Sequence, residues 1–336
     1  MQNLLDPAIL FFVFGGLAGA LRSNLEIPPA IAKFLSLYLL MALGLKGGFA
    51  LAQSGLNAEI MITLGAAMLM AFIVPALGYQ FLKNRVARFD AAAIAASYGS
   101  VSAVTFVTAM QYLETSQMNF GGHMAVAMVL MESPAILMAV LLANSLRHAQ
   151  AGPLAVSASG TATVAGFGNP GAGPSLGKIL HESFTDGAQL LLLGSMAIGF
   201  FSGDAGKAVM APFSTDLFKG MLAFFLLDMG LMVAKNFASV RTKSPMLIAY
   251  ACIGPLVHAS IALVLAMLLR LPAADAALLM VLSASASYIV VPAVLRYAIP
   301  EANPSLYLGL SLGVTFPLNI LFGIPLYTFA ARYFLA

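Results

Sequence analysis

Long apolar runs alternate along the chain with short polar interruptions that hold most of its charge. The runs are about twenty residues long, the length of α-helix that crosses a bilayer core about 30 Å thick. They predict spans near 7–21, 28–45, 60–82, 90–113, 120–146, 183–201, 216–238, 245–269, 273–299 and 305–333. The runs are unbroken rather than alternating, which excludes an outer-membrane barrel. The start, MQNLLDPAILFFVFGGLAG, has Asp6 and no base before its apolar run, so it reads as the first span rather than a secretory signal. Composition agrees. Of 336 residues, 61% are apolar and 9% charged, whereas a soluble domain carries about 25% charged residues. One cysteine, Cys252, excludes an intrachain disulfide. Trp is absent, so interfacial aromatics must come from the ten Tyr.

The one long connection, 148–180, is rich in Gly, Ala, Ser and Pro and too poor in large apolar residues to fold, so it reads as a linker. It divides the chain into a first five-helix repeat, 1–147, and a second, 181–336. LLMALGL at 39–45 resembles FLLDMGL at 225–231, setting Gly44 over Gly230 at an offset of 186. SYGSVSAVT at 97–105 then falls near SASASYIVVP at 283–292, and Pro134 falls over Pro317 at an offset of 183. Five spans per half would turn the second half upside down relative to the first, the inverted repeat of many secondary transporters. Charge orients it. With ten spans, one side holds Arg22, Lys33, Lys83, Arg85, Arg88, Arg147, Lys178, Lys235, Arg241, Lys243 and Arg296. The other holds Lys46, Lys207, Lys219, Arg270 and Arg332. The positive-inside rule places the linker inside and both termini outside. The expected fold is an all-α integral membrane protein of about ten transmembrane helices in a 5+5 inverted repeat, with helices four and nine broken.

Spans four and nine carry the candidate chemistry. Span four has Ser97, Gly99, Ser100, Ser102, Thr105 and Thr108 at its middle; span nine has Ser283, Ser285, Ser287, Tyr288 and Pro292. Small polar residues beside Gly or Pro at bilayer depth predict a break, tolerable where the backbone faces protein or a wet cavity. The N-termini of the resulting half-helices present free N–H groups and partial positive charge, a pocket for an anion. Close helix packing would also explain one such stretch; two at corresponding positions favour a substrate site. Ionisable residues inside spans come next. Glu132 and Asp228 could bind a cation or carry a proton. His123 and His258 look isolated, and Lys46 and Arg296 lie near span ends where long side chains snorkel. No HExxH, GxSxG, CxxC or P-loop pattern occurs, so neither enzyme chemistry nor an ATP motor is expected. No cofactor and no nucleic acid are implied.

Several segments resemble one family. IPPAIAKFLSLYLLMALGLKGG (27–48), SYGSVSAVTFVTAMQYLE (97–114), MESPAILMAVLLAN (131–144) and VLRYAIPEANPSLYLG (294–309) are similar to the sodium-dependent bicarbonate transporters of cyanobacteria, the SbtA type. The chain is identified as a divergent member. The resemblance implies bicarbonate taken up with sodium, a homotrimer in the bacterial inner (plasma) membrane, and a cytoplasmic regulatory protein as partner. It implies substrate between the broken helices. Departures are specific. Tyr288 stands where the family has an Asp, and Val290 replaces the hydroxyl that follows. Lys46 replaces a Thr, while Glu132 keeps an acid. The linker is shorter and less charged. The reading assigns substrate to Ser100, Ser102, Thr105, Ser285, Ser287 and Tyr288. It assigns a coupling cation to Glu132, Ser97, Asp228 and Thr315, with sodium the one metal ion considered. Rival readings are a proton-coupled carrier of a small organic acid, using Asp228 or Glu132, and an anion channel.

Overall fold

The computed structural model describes residues 6–55, 57–150, 187–240 and 243–335. The expected linker, 148–180, lies outside them except for 148–150, which end a helix. Among the described residues every regular element is helical. In chain order these are α1 (Pro7–Ala20), α2 (Pro29–Ser54), α3 (Ala58–Leu82), α4 (Arg88–Gly99), α5 (Ala103–Thr115) and α6 (His123–Gln150). There follow α7 (Gly187–Ala211), α8 (Phe218–Val240), α9 (Pro245–Leu269), α10 (Ala273–Ala284) and α11 (Val290–Ala298). The last, α12, runs Pro304–Leu335, widened by π-helical turns at Ser311–Thr315 and Asn319–Gly323. Starts are chemically marked. Asp6 accepts from the Ala8 N–H at 2.8 Å and Asn57 from the Ile60 N–H at 2.9 Å, satisfying donors a helix leaves free. Pro opens α1, α2, α9 and α12, where its missing N–H costs nothing.

Among the described residues seven helical stretches are long and apolar enough to cross a membrane, and α1 and α10 are shorter apolar helices. Large apolar side chains such as Leu69, Phe72, Ile253, Val264 and Phe329 stay exposed, as a lipid-facing surface requires. One of the seven stretches, Leu190–Asn236, has 47 residues, which if straight would be about 70 Å long. It is folded instead. The chain turns back at Gly203, whose φ of 55° and ψ of −144° kink α7 beside the end of α2. A π-helical turn at Pro212–Asp216 then leads into α8, which runs opposite to the first part of α7. Along α2, Gly44 meets Leu192 and Gly48 meets Met196, so α7 follows α2. The Lys46 ammonium sits over the Phe218 ring, while Pro29 and Ala32 border a cavity with Asp228 and Lys235, so α8 runs against α2.

Backbone contact at glycine binds these helices. A Cβ on Gly44 would lie 2.4 Å from the Leu192 carbonyl oxygen, and one on Gly230 2.1 Å from that of Phe12. Glycine therefore lets α2 close on α7 and α1 on α8, the two most extensive packings among the described residues. This corrects the expected end of span two at 45. Helix α2 continues through Gly47 and Gly48 to Ser54, because the approach they allow offsets glycine's poor helix propensity of about 1 kcal/mol. Lys46 thus lies within a helix, and its Nζ is 3.0 Å from Glu114 Oε1. The remaining helices form the other part: α3 packs on α4 and α6, and α9 on α10. His123 is not isolated. Its Nε2 is 3.5 Å from Asp275 Oδ2, and Asp275 Oδ1 accepts from the Gly121 N–H at 2.7 Å, joining the starts of α6 and α10.

Candidate functional site

The helix ending in SYG stops at Gly99 because residues 100–102 leave helical geometry; Ser100 is extended, with ψ of −178°. Gly99 fits there because a Cβ would lie 2.6 Å from Pro75 Cγ of α3. The chain becomes helical again at Ala103, after Ser102 accepts from the Thr105 N–H at 3.2 Å. Ser and Gly favour such a break, since hydroxyls compete for backbone partners. The other interruption covers residues 285–289, between α10 and α11. Its Ser285 is extended, with ψ of 163°. Pro292 falls in the first turn of α11, where it needs no N–H.

The two interruptions lie against each other and supply one another's backbone partners. The Ser287 N–H donates to the Ser97 carbonyl at 2.8 Å, and Ser97 Oγ donates to the Ser287 carbonyl at 2.5 Å. Ser285 Oγ accepts from the Ser102 N–H at 3.0 Å while donating to the Leu282 carbonyl at 2.9 Å. Non-helical backbone at membrane depth is thereby satisfied within protein. Beside the crossing is a pocket with about 70 Å³ of room, several times the roughly 10–15 Å³ one water needs. Ser102, Ala103 and Val104 border it from the start of α5, and Ser287, Tyr288 and Ile289 from the approach to α11. Ser36 of α2, Met128 and Glu132 of α6 and Leu192 of α7 close the other sides. Two helix N-termini thus open on one small, mostly apolar space with one carboxylate in its wall.

The nominated residues take different places. Ser102, Ser287, Tyr288 and Glu132 line the pocket. Ser285 and Ser97 stand behind it in the crossing, and Thr105 Oγ1 donates to Ser102 Oγ at 2.9 Å. Ser100 is fully buried, and its hydroxyl has no hydrogen-bond partner among the described residues; the same holds for Ser283. Thr315 lies away from the pocket. Its hydroxyl donates to the Ala251 carbonyl at 2.8 Å and accepts from Tyr98 at 2.6 Å. That carbonyl lost its helical donor to Pro255, four residues on. Asp228 is not brought to the pocket: it borders a separate cavity with Glu26 and Lys235.

Sequence reasoning passed over Ser36, Tyr98 and Asn319. Asn319 Nδ2 donates to the Ala284 carbonyl at 2.8 Å, closing the end of α10, and its Oδ1 accepts from the Tyr327 hydroxyl at 3.0 Å. An amide inside an apolar span was the available signal for it. The family model described as the Na+-dependent bicarbonate transporter superfamily matches residues 7–332, nearly the whole chain. No curated protein matches it.

Proposed function

The chain belongs to the Na+-dependent bicarbonate transporter superfamily, and on that premise we propose that it takes up bicarbonate with sodium through the serine pocket between its interrupted helices. A transporter family and a set of apolar helices make it a multi-pass membrane protein. The observation that carries the substrate reading is the meeting of the α5 and α11 N-termini on one pocket. Free N–H groups and the positive ends of two helix dipoles favour an anion there. Ser102 and Ser287, with Tyr288 alongside, offer hydroxyls. Ser285 and Thr105 hold Ser102 in place, and Ser100 is a buried hydroxyl with no partner among the described residues. The pocket's small volume suits an anion of four non-hydrogen atoms better than a larger organic acid. Glu132, facing the same space, is assigned to the sodium ion. Ser97 positions the backbone of the crossing beside it. Thr315, away from the pocket, and Asp228, in its own cavity, are left outside the coupling set.

The proposed architecture is ten crossings in two inverted halves. Its support is geometric. Residues 190–236 fold into two opposed helices, and the interrupted pairs α4–α5 and α10–α11 each count as one crossing. Gly44 and Gly230, equivalent at the offset of 186, do the same work: one closes α2 on α7, the other α1 on α8. Gly15 meets Leu227 and Gly19 meets Ala234, so α1 runs with α8 as α2 runs with α7. Transport would proceed by alternating access, the crossed core moving against α1, α2, α7 and α8, with both termini outside. The homotrimer rests on the family resemblance. Uptake of ¹⁴C-bicarbonate into proteoliposomes, with and without an inward sodium gradient, tests the reading. Folded protein that shows no uptake above empty liposomes under either condition would falsify it.

A further inference from the structure

A second cavity, with about 220 Å³ of room, lies at the far end of α5 from the serine pocket and is bordered by α1, α5 and Leu222 of α8. Its polar lining is Asp6, Thr108, Gln111, Tyr112, Thr115 and Ser116. Gln111 is 5% exposed. Its Nε2 donates to Thr115 Oγ1 at 3.1 Å, and Thr115 spends its own proton on the Gln111 carbonyl at 2.9 Å. Thr115 can therefore only accept from the amide, which fixes which way that amide points. Gln111 Oε1 is left buried with no hydrogen-bond partner among the described residues. Thr108 likewise donates inward, to the Val104 carbonyl at 2.8 Å. Asp6 brings a carboxylate of which one oxygen caps α1. The oxygens of Asp6, Thr108, Gln111 and Thr115 thus offer lone pairs and no protons. The C-terminal end of α5, carrying partial negative charge, adds to this.

We propose that this chamber binds a monovalent cation, sodium, with Gln111 Oε1 and the Asp6 carboxylate as its principal ligands. Acceptor oxygens beside a carboxylate disfavour an anion and can replace the water around a hard cation. One carboxylate balances one charge, and the described residues hold no cluster of three or more acids, histidines or cysteines suited to a multivalent ion. The chamber is connected to the serine pocket by chemistry as well as by the helix. Ser102, Thr105, Thr108, Gln111 and Thr115, spaced by three and four, make one polar face on α5, about 13 Å long from Ser102 to Gln111. Its role as a station on the sodium route rests on the transport reading above; the binding itself does not.

The test is the melting temperature of the purified chain against NaCl, with choline chloride holding ionic strength, since a ligand of the native state raises it. Gln111→Leu and Asp6→Asn, the latter still able to cap α1, are expected to move the sodium half-point upward by about tenfold or more. Gln111→Glu keeps an acceptor and is expected to hold or lower it, separating lost ligation from damaged folding. Sodium curves that superpose on wild type in Gln111→Leu and Asp6→Asn overturn the proposal, as does a wild type indifferent to sodium. Uptake assays on the same proteins separate the two readings. Sodium-driven bicarbonate uptake with unshifted variants removes the chamber alone. A Gln111-dependent sodium response without bicarbonate uptake keeps the chamber and removes the transport reading.

Discussion

Ser102 does two things at once. Its hydroxyl starts α5 by accepting from the Thr105 N–H, and its side chain borders the pocket proposed for the substrate. A hydrogen bond to a charged group contributes about 1.5–3 kcal/mol. Ser102→Ala is therefore expected to raise the half-saturating bicarbonate concentration about tenfold or more, and Ser102→Thr, which keeps the cap and the hydroxyl, to raise it far less. Bicarbonate titration of uptake at saturating sodium reads both. Glu132→Gln separates the ions. It is expected to raise the sodium requirement at least tenfold, about 1.4 kcal/mol, while leaving bicarbonate affinity at saturating sodium nearly unchanged. An equal loss for both ions would remove Glu132 from the cation's side. At this scale the sequence was partly readable. Serine clusters mark Ser102 and Ser287 because polar atoms at bilayer depth need a reason. Ser36 is one hydroxyl in an apolar helix, and nothing local says which neighbour it faces. The partner of His123, Asp275, lies 152 positions away in the chain, a distance no periodicity bridges.

Helices meet here in two ways, by glycine and by side chains that mend backbone. Gly230→Ala would put a Cβ 2.1 Å from the Phe12 carbonyl oxygen; overpacking of this kind costs about 1–3 kcal/mol. Gly65 of α3 has open space where its Cβ would lie, so Gly65→Ala is expected to be neutral or to stabilise by up to about 1 kcal/mol. Thermal melting in detergent orders the three proteins Gly65→Ala, wild type, Gly230→Ala; the reverse order would refute the glycine contacts. A charged clasp joins α6 to the loop before α12. Arg147 donates to both Glu301 oxygens at 2.8 Å and to the Ala298 carbonyl at 2.9 Å. Hydrogen bonding to Arg147 holds the Glu301 carboxyl below the usual carboxylate range. The sign follows: this stability is complete above the unfolded carboxylate's value, about 4.3, and is lost as pH falls through the lower folded value. The Glu301 side chain is 38% exposed, so the neutral-pH effect is at most about 1 kcal/mol. Glu301→Gln is expected to flatten the acid limb of a pH–melting curve without moving its neutral plateau by more than a few degrees. Helix limits were mostly legible in hydropathy, as for 245–269. The overrun of α2 was not, because what sustains it is the α7 backbone.

For the whole molecule, orientation is the testable quantity. Exposed Asn84 follows α3 and exposed Asn119 follows α5, so the proposed topology puts the first inside and the second outside. With the one native thiol removed as Cys252→Ser, Asn119→Cys is expected to react with a membrane-impermeant maleimide in intact cells. Asn84→Cys should react only after the cells are opened; the opposite pattern inverts the topology. The charge distribution is what the proposed orientation rests on, whereas the folding back of 190–236 was visible in sequence only as two apolar runs. The crossing of the interruptions has a consequence at this scale. Ser97 and Ser287 exchange bonds in both directions, and Ser285 holds the Ser102 N–H. The two half-helix pairs are spliced like rope ends, each strand gripping the other at the joint. A pull on either is felt by both, so that in the proposed transport cycle whatever rests beside the splice would be carried along rather than handed across.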